Sequence, residues 1–227
     1  MKRSEINNAI KWAENLAAAH MITLPDFARF APDKEAMKDE SRENLVKTML
    51  GWDVTDFGSD DFAHCGAVLF TVRNGNVYDQ TIGVPYAEKY IFLADGEEQE
   101  IPMHYHNLKT EDIINRAGGV FCVQLAAEGA DGKPDLTVPV TVYRDGIRYE
   151  AKPGEVIEIS TGNSITLCPH VYHRFFAKPG AGDLIIGEVS KINDDNIDNV
   201  FAVKRDRFCP IEEDEPRYRL LCNEYTD

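Results

Sequence analysis

Between Gly66 and Ser190 turn dipeptides recur so often that no connecting segment is long enough to hold a crossover helix. Asn74-Gly75, Asp95-Gly96, Asp131-Gly132, Asp145-Gly146, Pro153-Gly154, Gly162-Asn163 and Pro179-Gly180 punctuate the region. Between them lie short runs rich in β-branched and aromatic residues: AVLFTV, YIFLAD, EIPMHYH, VFCVQLAA, LTVPVTVYR, IRYEA, VIEIS, SITL, VYHRFFA and LIIGEVS. Parallel strands need a crossover of a dozen residues or more, so this spacing excludes a parallel α/β fold. Some ten strands joined by tight hairpins predict an antiparallel jelly-roll barrel over residues 61–190, its two sheets folded face to face.

The flanks read differently. From Ser4, a predicted N-cap, the residues Ile6, Ala9, Ile10, Trp12, Ala13, Leu16 and Ala17 recur at helical spacing, with Glu5 in the first turn. A second, shorter helix is expected over Ser41–Leu50, closed by Gly51. Residues 1–60 therefore form a helical N-terminal extension, and Trp12 and Trp52 are expected in its packing. The tail, residues 191–227, has little periodicity and is expected to wrap on the barrel. The chain is thus read as one domain over residues 1–227, mainly β, with 43% hydrophobic residues to build a core.

Charge narrows the partners. Lys and Arg number 24 against 39 Asp and Glu, a formal net charge of −15. Nucleic acid and anionic membrane surfaces are poor partners for such a chain, whereas a neutral polyol or a cation is compatible with it. The same background disfavours a phosphorylated ligand. Glu5, Asn7, Asn8, Lys11, Glu14 and Asn15 interrupt any apolar signal core near the N-terminus. Five cysteines, an odd number without a CxxC pair, indicate a reduced, cytoplasmic protein in which each is a buried or half-buried apolar residue.

Four of the six histidines fall in two clusters, His104 and His106 in MHYH, His170 and His173 in PHVYH. On a strand, positions i and i+2 share a face, so His104 and His106 can point together into the barrel. By itself that pair is equally a hydrogen-bonded pair of ordinary histidines. With Glu111 and His173 supplied from neighbouring strands, three imidazoles and a carboxylate can converge. Such a donor set suits a divalent first-row cation (Mn²⁺, Fe²⁺, Co²⁺, Ni²⁺ or Zn²⁺), and without thiolates a catalytic ion is favoured over structural zinc.

The spacing His104-Tyr-His106, four residues, Glu111, six residues, Gly118 resembles the first motif of the cupin superfamily. The second motif is matched in spacing from Gly162 to His173, with Cys168 where Pro is usual, His170 where Gly is usual, and Ala177 where Asn is common. Replacing the glycine at His170 predicts a different backbone geometry for that turn. More of the chain is similar to the D-lyxose isomerase family: Tyr86-Ala-Glu88-Lys89, Met103 to His106, Lys109 to Arg116, Gly187 to Ser190, Asn193 to Asp195, Asp198-Asn199 and the segment Ile211 to Glu215. Members of that family are metal-dependent cupin sugar isomerases, typically using Mn²⁺, that interconvert D-lyxose and D-xylulose and often D-mannose and D-fructose. The resemblance implies His104, His106, Glu111 and His173 as metal ligands.

Isomerisation through an enediol needs a carboxylate beside C1 and C2 that is not a metal ligand. Glu188 is the first candidate, the other reading being a barrel carboxylate paired with Lys89 or Arg116. Lys109 is expected to donate to a sugar oxygen, against the simpler reading of a surface lysine. Lys89, Asp198, Arg205 and Asp206 are expected to contact substrate, with Asp198 and Asp206 in reserve as the base. A hydride shift is the other route. His170 is expected at a turn or rim, His20 and His64 in structural roles, and Tyr105 and Tyr172 on the opposite face of their strands. Other functions open at this point are a cupin metal-dependent oxidoreductase such as a dioxygenase, and a non-catalytic sugar-binding cupin. A homodimer formed through the barrel edge or the N-terminal extension is also expected.

Overall fold

Helix α1 (Arg3–Ala19) turns one apolar stripe, Ile6, Ala9, Ile10, Ala13 and Ala17, into the protein and leaves its charged face to solvent. In the computed structural model, which describes residues 1–95, 99–192, 194–205 and 210–226, the cap of α1 is Lys2, whose backbone N–H donates to Glu5 Oε2 at 2.7 Å. Ser4, the predicted cap, lies inside the helix, and its hydroxyl donates to Asp214 Oδ2. The second helix, α2 (Glu43–Lys47), is shorter than its apolar pattern predicts, because the preceding residues form 3₁₀ turns.

Strands follow sooner than expected. They run β1 (Gly51–Thr55), β2 (Ala67–Gly75), β3 (Gly83–Leu93), β4 (Glu100–His106), β5 (Glu111–Gly118), β6 (Phe121–Glu128) and β7 (Pro134–Asp135). After these come β8 (Val140–Arg144), β9 (Ile147–Ala151), β10 (Val156–Ile159), β11 (Ser164–Leu167), β12 (Val171–Ala177) and β13 (Leu184–Lys191). A short helix, α3 (Asp195–Asp198), leads into β14 (Asn199–Phe201). Gly51 thus opens a strand and Trp52 sits in it, stacked edge-on to Phe70 at 4.8 Å and donating to the Ala28 carbonyl.

Two antiparallel sheets result. One has the order β1-β2-β3-β13-β5-β11-β8-β9, the other β10-β6-β12-β4-β14, with β7 paired to β6. The main core lies between them and includes Leu69, Ile91, Ile113, Val123, Ile159, Phe175 and Ile186. A second apolar layer forms where α1 packs on the outer face of β1, β2 and β3, against Trp52, Val68, Phe70 and Phe92. Fully burying Ile6 and Ile10 stabilises this layer by about 1.5–3 kcal/mol each. Tyr105 and Tyr172 project from the opposite face of the strands that carry the histidines, and pack together at 4.8 Å.

The tail does two different things. Residues 199–201 add β14 to the edge of β4, whereas residues from Ile211 onward pack on α1 and β1. Arg3, fully buried, donates to both carboxylate oxygens of Glu213 and to Glu224, and Asn7 bonds Glu215, the Pro216 carbonyl and the Tyr218 N–H. The first motif ends at Gly118, whose φ of +83° is left-handed and whose missing Cβ leaves space for the Asp183 carbonyl.

Candidate active site

His104 and His106 reach the same side of β4 because they are two residues apart, and β12 lies beside β4 with His173 directly opposite His104. Glu111 comes from the facing sheet, as the first residue of β5. All four side chains are buried. One nitrogen from each of His104, His106 and His173 lies within 4.8 Å of the others. Glu111 Oε1 is 3.4 Å from both His106 Nε2 and His173 Nε2.

The hydrogen bonds behind the rings fix which atoms face inward. His104 Nδ1 is 2.7 Å from the Pro102 carbonyl and His173 Nδ1 is 2.9 Å from the Val171 carbonyl, so each Nδ1 carries the proton and each Nε2 presents a lone pair. Those two Nε2 atoms are 3.1 Å apart, a contact between lone pairs that neither ring can satisfy by donating. Burial, with His173 and His106 alongside, holds the His104 pKa well below the usual value, and burial pushes that of His173 down to about 4. Both rings are therefore neutral at pH 7. Burial opposes charge on Glu111, yet Lys109, His106 and His173 hold its pKa well below the ordinary carboxylate range. Its Oε1 takes no hydrogen bond. Neutral imidazole lone pairs and an unsatisfied carboxylate oxygen converging on one point fit a divalent cation.

Beside this quartet is a second charged group. Lys109 Nζ donates to Glu188 Oε1 at 3.0 Å and lies 2.8 Å from Glu111 Oε2. Glu188, on β13, also accepts from Ser190 Oγ at 2.9 Å and lies 3.5 Å from Lys89 Nζ on β3. The register pairs Glu188 with Lys89 across adjacent strands. Lys89, Lys109, Glu111 and Glu188 line a pocket together with His104, His106 and Asn199; its other wall is Phe57, Leu69, Ile91, Ile101, Phe175 and Phe201. That lining, apolar with a few converging charged groups, is that of a small-molecule site.

The remaining predicted residues are placed elsewhere. Asp198 is buried behind His106: its Oδ1 accepts from the Leu108 N–H at 2.8 Å and its Oδ2 is 3.6 Å from His106 Nδ1. Arg205 lies near Cys65 and does not line the pocket. Asp206 falls outside the described residues. Arg116, offered as a partner of Glu188, packs over the backbone of Gly187. His170 stands at an exposed turn, 2.9 Å from Glu128; its φ of +63° keeps the left-handed geometry that glycine usually supplies, so the turn does not change shape. His64 pairs with Asp61 on the surface. Cys168 is exposed, unlike the buried Cys65, Cys122 and Cys222.

Sequence reasoning missed Ser190, Asn199 and the aromatic pair Phe57 and Phe201, whose centroids are 5.7 Å apart. Ser190 was accessible from strand alternation, two residues beyond Glu188. Phe57 was not: it sits in a loop at a φ of +53° that aromatic residues seldom adopt.

A family model described as D-lyxose isomerase matches residues 1–225. A protein of Escherichia coli O157:H7 named D-lyxose/D-mannose isomerase is 42% identical over 99% of this chain and 98% of its own. One of the same name from Serratia proteamaculans shows the same identity and coverage. Among solved structures, the L-ribose isomerase of Acinetobacter sp. DL28 matches with a TM-score of 0.58 at 15% identity, over 93% of this chain and 98% of that one. The Cellulomonas parahominis L-ribose isomerase gives 0.57 at 16%, over 92% and 98%. At such identities the likeness is one of fold, and the fold is the cupin barrel. With a family model that spans almost every residue and full-length relatives at 42% identity, the chain belongs to the D-lyxose isomerase family.

Proposed function

We propose that this protein is a metal-dependent aldose–ketose isomerase that interconverts D-lyxose with D-xylulose, and D-mannose with D-fructose. The observation that carries the reading is a pocket lined by His104, His106 and Glu111, with His173 adjoining Glu111, and by a separate lysine-paired carboxylate, Glu188. The names of the relatives support the choice of sugars.

His104, His106, Glu111 and His173 would hold the cation, Mn²⁺ or another of Fe²⁺, Co²⁺, Ni²⁺ and Zn²⁺. When bound, such an ion supplies Lewis acidity to the sugar carbonyl oxygen and its neighbouring hydroxyl, where negative charge builds as the enediol forms. Glu188 takes the proton from C2 of the open-chain aldose; the C–H electrons become the C1–C2 double bond and the carbonyl oxygen gains a proton. Returning the proton to C1 and reforming a carbonyl at C2 gives the ketose, so no external oxidant enters. Lys109, between Glu188 and Glu111, donates to the oxygen on which charge develops. Lys89 and Ser190 hold the Glu188 carboxylate toward the pocket, and Lys89 offers a second donor to a hydroxyl. Two ammonium groups offset the cost of burying the Glu188 charge.

The same reading takes residues 1–227 as one catalytic domain of a cytoplasmic homodimer acting on free sugars. Among the described residues Cys65, Cys122 and Cys168 form no disulfide, in keeping with a reducing compartment, and no helix is long and apolar enough to cross a membrane. Light scattering tests the dimer.

The activity is tested with Mn²⁺-loaded protein on D-lyxose, D-mannose, D-xylose, L-ribose and D-fructose 6-phosphate, assayed anaerobically and with chelator. Turnover of D-lyxose without oxygen, abolished by chelator, is the expected result. Dependence on O₂ would point to the oxidoreductase, and binding without turnover to a sugar-binding cupin. Faster reaction of the phosphorylated sugar would overturn the free-sugar preference.

A further inference from the structure

The polar atoms of the pocket divide into one connected cluster and one outlier. Lys89, Lys109, Glu111 and Glu188 touch one another in series, His106 and His173 adjoin Glu111, and His104 adjoins His173. Asn199 stands apart. Its strand, β14, lies antiparallel on β4 with Asn199 opposite His106 and Phe201 opposite His104, so both side chains share the face that carries the imidazoles. Asn199 and Phe201 line the pocket with Glu188 and Lys109. The Asn199 Oδ1 atom is shielded from solvent and takes no hydrogen bond from the described residues. A buried amide oxygen without a donor is costly, and a pocket wall is where a ligand can supply the donor.

We propose that Asn199 is a substrate-positioning residue whose side-chain oxygen accepts a hydrogen bond from a sugar hydroxyl beyond the reacting C1–C2 pair. The inference rests on the isomerase reading. It adds a polar specificity contact from the tail of the chain to a site whose other polar groups come from the barrel. The neighbouring Phe201 and Phe57 rings give the carbon chain an apolar surface, so Asn199 is the group on that side able to tell one hydroxyl configuration from another. A site that hydrogen-bonds a hydroxyl discriminates strongly against the analogue lacking it, because its own polar atom is then left unpaired.

The test crosses enzyme variants with sugar variants. Mn²⁺-loaded wild type, Asn199→Ala and Asn199→Asp are assayed on D-lyxose and its 3-deoxy, 4-deoxy and 5-deoxy analogues, with metal content and melting temperature measured on each. The expected loss in kcat/KM for Asn199→Ala on D-lyxose is about 10- to 100-fold, with metal content and melting temperature unchanged. On one deoxy analogue the substitution costs nothing further, since the contact is already gone. Asn199→Asp, which keeps an acceptor in place, retains the discrimination among analogues. An equal loss on all four sugars, or no loss on any, overturns the proposal. Calorimetric binding of the same sugars separates it from the isomerase reading. Binding without turnover by wild type sinks that reading while the affinities judge Asn199 by the same criterion. Absence of binding by wild type sinks both.

Discussion

His104 and His173 face each other through Nε2 because two backbone carbonyls, of Pro102 and Val171, hold the protons on the far sides of the rings. That arrangement separates the roles of the neighbouring carboxylates. Glu111→Ala and His106→Ala should lose bound metal and activity together, seen by elemental analysis and the ketose assay. Glu188→Gln should bind the metal as wild type does and lose about 10²- to 10⁴-fold in kcat, the usual range for a general base. Near wild-type turnover of that variant would move the base elsewhere. Asp198, lodged behind His106 with its Oδ2 3.6 Å from Nδ1, orients a ligand without reaching the pocket; Asp198→Asn should weaken metal affinity about 10- to 100-fold, read by titration with a competing chelator. The quartet was legible because motif spacing encodes it directly, i and i+2 on one strand plus one partner on each of two others. The position of Asp198 was not, since nothing in a polar tail reports that its short helix turns one carboxylate inward.

At the level of elements, the hairpins were readable from their turn residues, but β1 and β5 were not. GWDVT follows a helical stripe and is buried along its whole length, so it offers no alternation. EDIINRAG alternates in burial, with Glu111, Ile113 and Asn115 inward and Ala117, past a register shift, buried under α1, yet its two inward polar residues conceal the pattern. Asn115 is buried because its amide donates to the Gly119 and Ile159 carbonyls. The turn before β12 tests how far sequence can depart from motif. His170 holds a glycine-like φ while its side chain pairs with Glu128 at the surface, an exposed pair worth at most about 1 kcal/mol. His170→Gly should therefore leave stability within about 1 kcal/mol of wild type. His170→Val should cost about 1–2 kcal/mol more, because a β-branched residue tolerates that region poorly. Urea denaturation of both variants checks the ordering.

Across the whole molecule, the two ends of the chain are locked together by a charge cluster well away from the pocket. Arg3 is fully buried between Glu213 and Glu224, and removing the guanidinium empties a buried site and leaves the two carboxylates to the partly exposed Arg217. Arg3→Ala should destabilise the fold by about 3 kcal/mol in thermal or urea unfolding while leaving metal affinity unchanged. The cation acts on the same equilibrium independently. At a hundred times its Kd it should add about 2.7 kcal/mol to wild type and to Arg3→Ala alike, and chelator should remove that increment from both. Unequal increments in calorimetric melts would mean that the clamp and the pocket are coupled.

The Arg3 clamp also bears on the order in which the protein matures during synthesis. Its partners lie 210 and 221 residues downstream, after every strand of both sheets and after all four ligands. The three imidazoles, Glu111 and every strand through β14 are therefore synthesised before Arg3 has an acceptor. Latching of the two termini therefore waits until nearly the whole chain has been made.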